Sequence, residues 1–318
     1  MKVSRVVMVS LGFSLVVLVA LTMWMPSVDD LFVENPYWNG LSGFYVECDP
    51  IRLDVLSDWG SFLVPADNST LFIIGPDSEF DVFDAEAVSD YLGSGGRVVL
   101  MDDFGSGNQL LELLGLDTRF TGLSLEDPLF YEGDFGFPVV LDVGLAGVDE
   151  VVLNLPTGLE GGGTVLASSS PFSHYVGVVD SGDLGSVPVI VRVSVGEGVL
   201  FVVSDSSVFI NSMIDYRDNR ALLGALARGR VFVDESHMMA TRLTRAKGFY
   251  RGFYGFFDRF EYRYLFLGLV GVLVFKLKWE TGEKIEEDDV VSQVMMAHPG
   301  WDRDLVEHVH RLRENDEG

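Results

Sequence analysis

A single cysteine, Cys48, stands among 318 residues, so no internal disulfide can form and the fold must be held by its core. Positive charge is also scarce: 22 Lys and Arg face 48 Asp and Glu, for a formal net charge of -26. Such a surface repels phosphate backbones, which argues against nucleic acid as a partner. No complete nucleotide loop is present. The stretch GSGNQL at Gly105–Leu110 lies between an apolar run and a helical pattern, but Leu110 occupies the place of the third glycine and no Walker sequence occurs. No cofactor is expected. Nor is there a nucleophile elbow, because Cys48 and the Ser168, Ser169, Ser170 run beside His174 lack the flanking glycines.

Apolar residues make up 48% of the chain, ample for a packed core. Two runs stand out. Val6–Met25 carries no charge over about 20 residues, the length that crosses a bilayer, and is expected to be an uncleaved membrane helix. Tyr264–Leu277 is shorter, but basic residues at both ends and aromatics before it predict a second span. The expected division is a stub over 1–5, a span over 6–25, a domain over 29–240, a juxtamembrane segment over 241–263, a span over 264–277 and a tail over 278–318. Charge around the two runs points in opposite directions. Giving the first run precedence places both termini in the cytoplasm and the main domain outside it, at the cell envelope.

Between the runs, buried strands alternate with helices. STLFIIGP and RVVLMDD read as parallel neighbouring strands, and DAEAVSDYL as a helix capped by Asp84. GNQLLELLG is a second helix. PVVLDV, EVVLNLP and TVLASS read as added strands, and VPVIVRVSVGEGVLFVVSD as a hairpin turning at Gly196–Gly198. SSVFINSMI and DNRALLGALARG read as helices, the latter capped by Asp218 or Asn219, and RVFVDES closes an α/β domain. In the segment from Arg242 to Arg263, basic residues alternate with Phe and Tyr. Arg242, Arg245, Lys247, Arg251, Arg259 and Arg263 are expected to lie on lipid headgroups, making membrane lipid a partner. WDRDLVEHVHRLREN predicts a short helix in the tail.

The stretch DESHM, Asp234 to Met238, carries the densest chemistry. Along an extended chain Glu235 and His237 face one way and could share a cation with Asp205, while Asp218 or Asn219 could add ligands. The structural reading competes: Asp234, Glu235 and His237 form the polar end of a strand that latches onto the loop and helix start carrying Asp205, Asn211 and Asn219.

DYLGSGGRVVLMDD, GEGVLFVVSDSSVFIN, DNRALLGAL and VFVDESHM together resemble the family called domain of unknown function 4350. Its domain is similar to the class I glutamine amidotransferase-like fold. The resemblance implies a flavodoxin-like α/β sandwich flanked by membrane helices, with matching polar positions at Asp205, Asn211, Asp218, Asn219, Glu235 and His237. It brings no activity, because amidotransferases need an elbow cysteine and none follows a candidate strand here. The expected function is a non-catalytic binding or assembly module with a protein partner at the envelope, such as a component of a transport or surface-assembly system. The competing expectation is a divalent-metal hydrolase centred on Glu235 and His237.

Overall fold

All six side chains of the run Ser69–Ile74 are buried, as in a strand inside a sheet covered on both faces. The computed structural model describes residues 2–53, 66–177, 185–248 and 290–316. In chain order the first half holds α1 (Lys2–Trp24), α2 (Ser42–Cys48), β1 (Ile51–Leu53), β2 (Ser69–Ile74), α3 (Val82–Gly93), β3 (Arg97–Met101) and α4 (Gly107–Leu113). Short strands follow: β4 (Arg119–Phe120), β5 (Leu125–Glu126) and β6 (Tyr131–Glu132), then the hairpin of β7 (Asp134–Leu145) and β8 (Val148–Val152). The remainder is β9 (Leu159–Glu160), β10 (Thr164–Ser168), β11 (His174–Tyr175), β12 (Pro188–Val195), β13 (Gly198–Val203), α5 (Asn219–Leu226), β14 (Arg230–Asp234) and α6 (Arg303–Asp316). Residues 1–247 pack as one unit; residues 248–318, which include α6, form another.

The main sheet has seven strands in the order β1-β14-β2-β3-β13-β12-β10. β1, β14, β2, β3 and β13 are parallel, and β12 and β10 add antiparallel strands at one side. Numbered along the chain, the five parallel strands lie 1-5-2-3-4, whereas a flavodoxin-like sheet runs 2-1-3-4-5. The α/β class is therefore present among the described residues without the flavodoxin-like order. Alternation along the inner strands builds two cores. Leu71, Ile73, Val98 and Leu100 face α3 and α4 on one side; Phe72, Ile74, Val99 and Met101 face α2, α5 and the β7–β8 hairpin on the other. Phe44 of α2 meets Phe72 edge-on at 5.1 Å between ring centres.

Some elements correct the sequence reading. The cap of α3 is Asp81, not Asp84: the Asp81 carboxylate accepts from Asp84 N–H at 2.9 Å and Asp84 returns the bond, a capping box. The stretch Ser206–Ile214 forms turns rather than a helix. Asp205 accepts from Ser207 N–H at 2.6 Å, and the backbone continues through Ile210 N–H to Ser207 O at 3.1 Å. Such local bonds compete with helix formation.

The expectation of flanking transmembrane helices is also corrected. A crossing takes about 20 consecutive, mostly apolar residues in one helix. Among the described residues no helix is long and apolar enough to cross a membrane. The two-span cell-membrane localisation, with its cytoplasmic termini and extracytoplasmic domain, falls with it. The run Tyr264–Leu277 lies outside the described residues, as do Arg251, Arg259 and Arg263. Arg242, Arg245 and Lys247 fall in the helical residues 242–248.

Candidate functional site

In open α/β sheets ligands bind beyond the carboxyl ends of the parallel strands. Here those ends carry acids. Asp102 follows β3 and is 2% exposed; its Oδ1 accepts from the N–H groups of Asp103 at 2.8 Å and Gly105 at 3.0 Å, and its Oδ2 from Gly107 N–H at 2.7 Å. A Cβ on Gly107 would stand 2.6 Å from that Oδ2, so glycine is required for the approach. This carboxylate fills the place at the start of α4 where a phosphate would otherwise sit. Burial raises its pKa to about 6, against the pull of those N–H groups. Asp103 accepts from Phe104 N–H at 2.9 Å and Ser206 Oγ at 3.1 Å, and burial raises it as well.

A cleft of about 620 Å³ opens over these groups. Its lining includes Asp29, Asp30, Asp77, Asp102 and Asp103, and among the described residues no Lys or Arg joins it. Apolar side chains share the wall: Phe104 is 56% exposed and Met239 72%. One wall is the strap after α1. It is clasped to the residues after β14: Asp29 Oδ2 accepts from Thr241 N–H at 2.9 Å and Thr241 Oγ1 at 3.1 Å, Ser27 Oγ meets Thr244 Oγ1 at 3.2 Å, and Lys247 Nζ donates to Met25 O. On this strap Leu31 takes a positive φ of 62° and lies over Gly75, where a Cβ would stand 2.3 Å from Leu31 Cδ1. The clasp and that close approach fix the strap against the ends of β2 and β14.

The residues singled out in the sequence do not gather around this cleft. Asp205, fully buried, accepts from Asn154 N–H at 2.7 Å and Ser207 N–H at 2.6 Å, and burial raises its pKa to about 7. Asn211 ties α2 to the strap through Gly43 N–H at 2.7 Å, Ser42 Oγ at 3.1 Å and Asn35 O at 3.1 Å. Asp218 makes no side-chain cap bond; its Oδ2 accepts from Asp149 N–H at 2.9 Å and Glu150 N–H at 3.0 Å. Buried Asn219 pairs with both the N–H and C=O of Val152 at 2.9 Å. These three bind α5 and the turns before it to the hairpin and to α2.

The end of β14 forms a latch with other partners than expected. Glu235 binds Arg52 of β1, whose Nε donates at 2.7 Å while its Nη1 reaches Glu34 at 2.7 Å. His237 lies stacked on Phe80 at 4.0 Å, with Nδ1 at 2.8 Å from Asp234 Oδ2 and Nε2 at 3.2 Å from Asp84 Oδ2. Burial alone would lower its pKa, but Asp234 and Asp84 outweigh it and the shift is upward. The His237 carbonyl accepts from the N–H groups of Asp77 at 2.8 Å and Ser78 at 3.0 Å. Asp205, Asn211 and Asn219 take no part. Glu235, His237 and Asp205 are thus committed to separate partners, and among the described residues no three His, Cys, Asp or Glu are placed to hold a metal ion.

Nucleophile geometry is equally dispersed. Burial raises the Cys48 thiol to about 11, so it remains protonated near neutral pH. Ser170 and Ser173 donate to Asp127, the latter at 2.9 Å, while His174 pairs through β11 with β5 and reaches Glu126 at 3.8 Å.

Residues 33–227, more than half of the chain, match the family model "Domain of unknown function (DUF4350)". The chain belongs to this family. The matched stretch ends before β14, so the Glu235 and His237 latch lies beyond it. No curated protein matches the chain. Among solved structures, the mmIFT52 N-terminal domain is similar over 48% of this chain and 73% of its own, with 18% identity and a TM-score of 0.39. A polyextremophilic β-galactosidase from the Antarctic haloarchaeon Halorubrum lacusprofundi matches 49% of this chain and 21% of its own, at 14% identity and a TM-score of 0.31. Cytoplasmic protein STM1381 from Salmonella typhimurium LT2 covers 50% and 72%, at 11% identity and 0.28. The chain spans about a fifth of that β-galactosidase.

Asp29, Asp30, Asp77, Asp102 and Asp103 were not among the site residues expected from the sequence. A signal was there: β3, β13 and β14 each end in buried apolar residues followed by an acid or by Ser-Asp. An acid at the end of one inner strand is a cap; the same pattern on three builds an acidic edge.

Proposed function

We propose that the chain is a non-catalytic binding module whose ligand seat is the acidic cleft at the carboxyl edge of the main sheet. One observation carries this reading: among the described residues, five aspartates and no basic residue line a cleft of about 620 Å³ where α/β folds bind ligands. A non-catalytic role is supported by the protonated Cys48 thiol. The metal-hydrolase reading gains no support, since Glu235 is held by Arg52 and His237 by Asp84 and Asp234.

Thermal unfolding in a library of cationic, neutral and anionic small molecules tests the seat. At least one compound should raise the midpoint of the full chain and fail to raise that of Met239→Arg, which sets a guanidinium at the exposed rim. A library without such a compound overturns the reading. Glutamine hydrolysis that is lost in Cys48→Ser would overturn the non-catalytic part.

A further inference from the structure

The cleft's chemistry narrows its ligand, and this step rests on the cleft being a ligand seat. Asp29 is 5% exposed and lines the cleft; its Oδ2 is satisfied by Thr241, but its Oδ1 is buried with no hydrogen-bond partner among the described residues. A buried carboxylate oxygen without a donor is costly and calls for a donor from outside the fold. Asp30 and Asp77 are exposed on the same lining, and Asp103 is half-buried there. Among the described residues no basic side chain on the lining offsets these charges.

A compact metal ion does not fit this arrangement. A divalent cation needs several oxygens converging at about 2.0 to 2.6 Å, and among the described residues no three acids are so placed. The same lining also carries the apolar side chains of Leu31, Phe104, Met238 and Met239. A lining that combines several acids with apolar side chains matches ammonium groups joined by an alkyl chain. The exposed Phe104 ring can also take a cation on its face, and the methionines adapt to a flexible methylene chain.

We infer that the cleft binds an alkyl diamine, with one ammonium donating to the unpartnered Asp29 Oδ1, the other held by Asp77 or Asp103, and the methylenes lying against Phe104 and Met239. No bond is made or broken; the ligand enters as a dication and leaves unchanged.

Isothermal titration of the full chain at low salt tests the assignment with pentane-1,5-diamine, the isosteric pentane-1,5-diol, the dianion glutarate and a tri-lysine peptide. The diamine should bind, the diol and glutarate at least tenfold more weakly, and added salt should weaken the diamine alone. Asp29→Asn should weaken the diamine about tenfold. Asp77→Asn, at an exposed position where the fold is not at stake, should weaken it about threefold. Equal binding of diol and diamine, or preference for glutarate, would overturn the cationic assignment while leaving the seat in place. Binding of the peptide without the diamine would overturn the small-molecule assignment. No binding by any probe, with no library compound stabilising the chain, would remove the seat itself.

Discussion

The two ends of the parallel strands carry opposite charge. At the carboxyl end stand Asp102, Asp103, Asp205 and Asp234, taking backbone N–H groups or, for Asp234, Ser236 and His237. At the amino end stand Arg97 and Arg230, opening β3 and β14, with Arg228 nearby. Arg97 donates to the carbonyls of Ala225 at 3.1 Å and Leu226 at 2.8 Å, where α5 ends, and lies 5.2 Å from the centre of the Phe201 ring. Burial, then the charges of Arg228 and Arg192, push its guanidinium down. The segregation follows the backbone. Helices leave the carboxyl edge with free N–H groups and return to the amino edge with free carbonyls, so each edge selects the sign that satisfies its orphaned groups. In a chain with few cations, Arg97 is placed where carbonyls need a donor.

Removing one member from each edge should cost different amounts. Asp102→Ala leaves three backbone N–H groups without their acceptor and should lower stability by about 3 kcal/mol in urea unfolding. Arg97→Met keeps the packing over Phe201 and loses two carbonyl bonds, so a loss of about 1 to 2 kcal/mol is expected in the same measurement. A larger loss for Arg97→Met than for Asp102→Ala would reverse the ranking of the edges.

The pH dependence should be one-sided. Asp102 and Asp205 have folded pKa values of about 6 and 7, above the unfolded value of about 3.9. The native state therefore holds protons that the unfolded chain has released, and stability falls as pH rises from about 4 to about 7. His237 acts in the same direction: its raised pKa contributes stability that is full below about 6.5 and is lost as pH rises through the folded value. The unfolding midpoint should fall between pH 5 and pH 8. Asp205→Asn should flatten the lower part of that slope and His237→Gln the upper part. The smallest effect belongs to neither edge. Arg220, spanning Glu47 and Asp215 in the open, should change stability by no more than about 0.5 kcal/mol when replaced by Ala.

The carboxyl edge was only partly legible in the sequence. The inner strands were plain, because Ser69–Ile74 and Val199–Val203 are apolar runs closed by turn residues, and alternation is suppressed when both faces are covered. Charge alone did not locate α3's cap. Asp81 and Asp84 sit three apart in a capping box, and only the backbone bonds distinguish the cap from its reciprocal partner. Asn211 and Asn219 were noticed as polar positions, but their partners lie 168 and 67 residues away, at Gly43 and Val152. No local pattern encodes such pairings. Asp29 went unread because its role depends on Thr241, brought beside it by the fold. The chain's apolar beginning suggested a membrane crossing, and the described residues hold no helix that meets the requirement.

The clasp between residues 25–29 and 241–247 has a mechanical consequence. Ser27 with Thr244, Asp29 with Thr241 and Lys247 with the Met25 carbonyl join two stretches of chain more than 200 residues apart in sequence. Tension applied at Met25 and Lys247 would load these few bonds before the ladders of the main sheet. Because Asp29 also lines the cleft, such a pull would part the cleft wall first. In single-molecule extension from those two positions, a small yield should precede the main rupture, and an occupied cleft should raise the force at which it occurs.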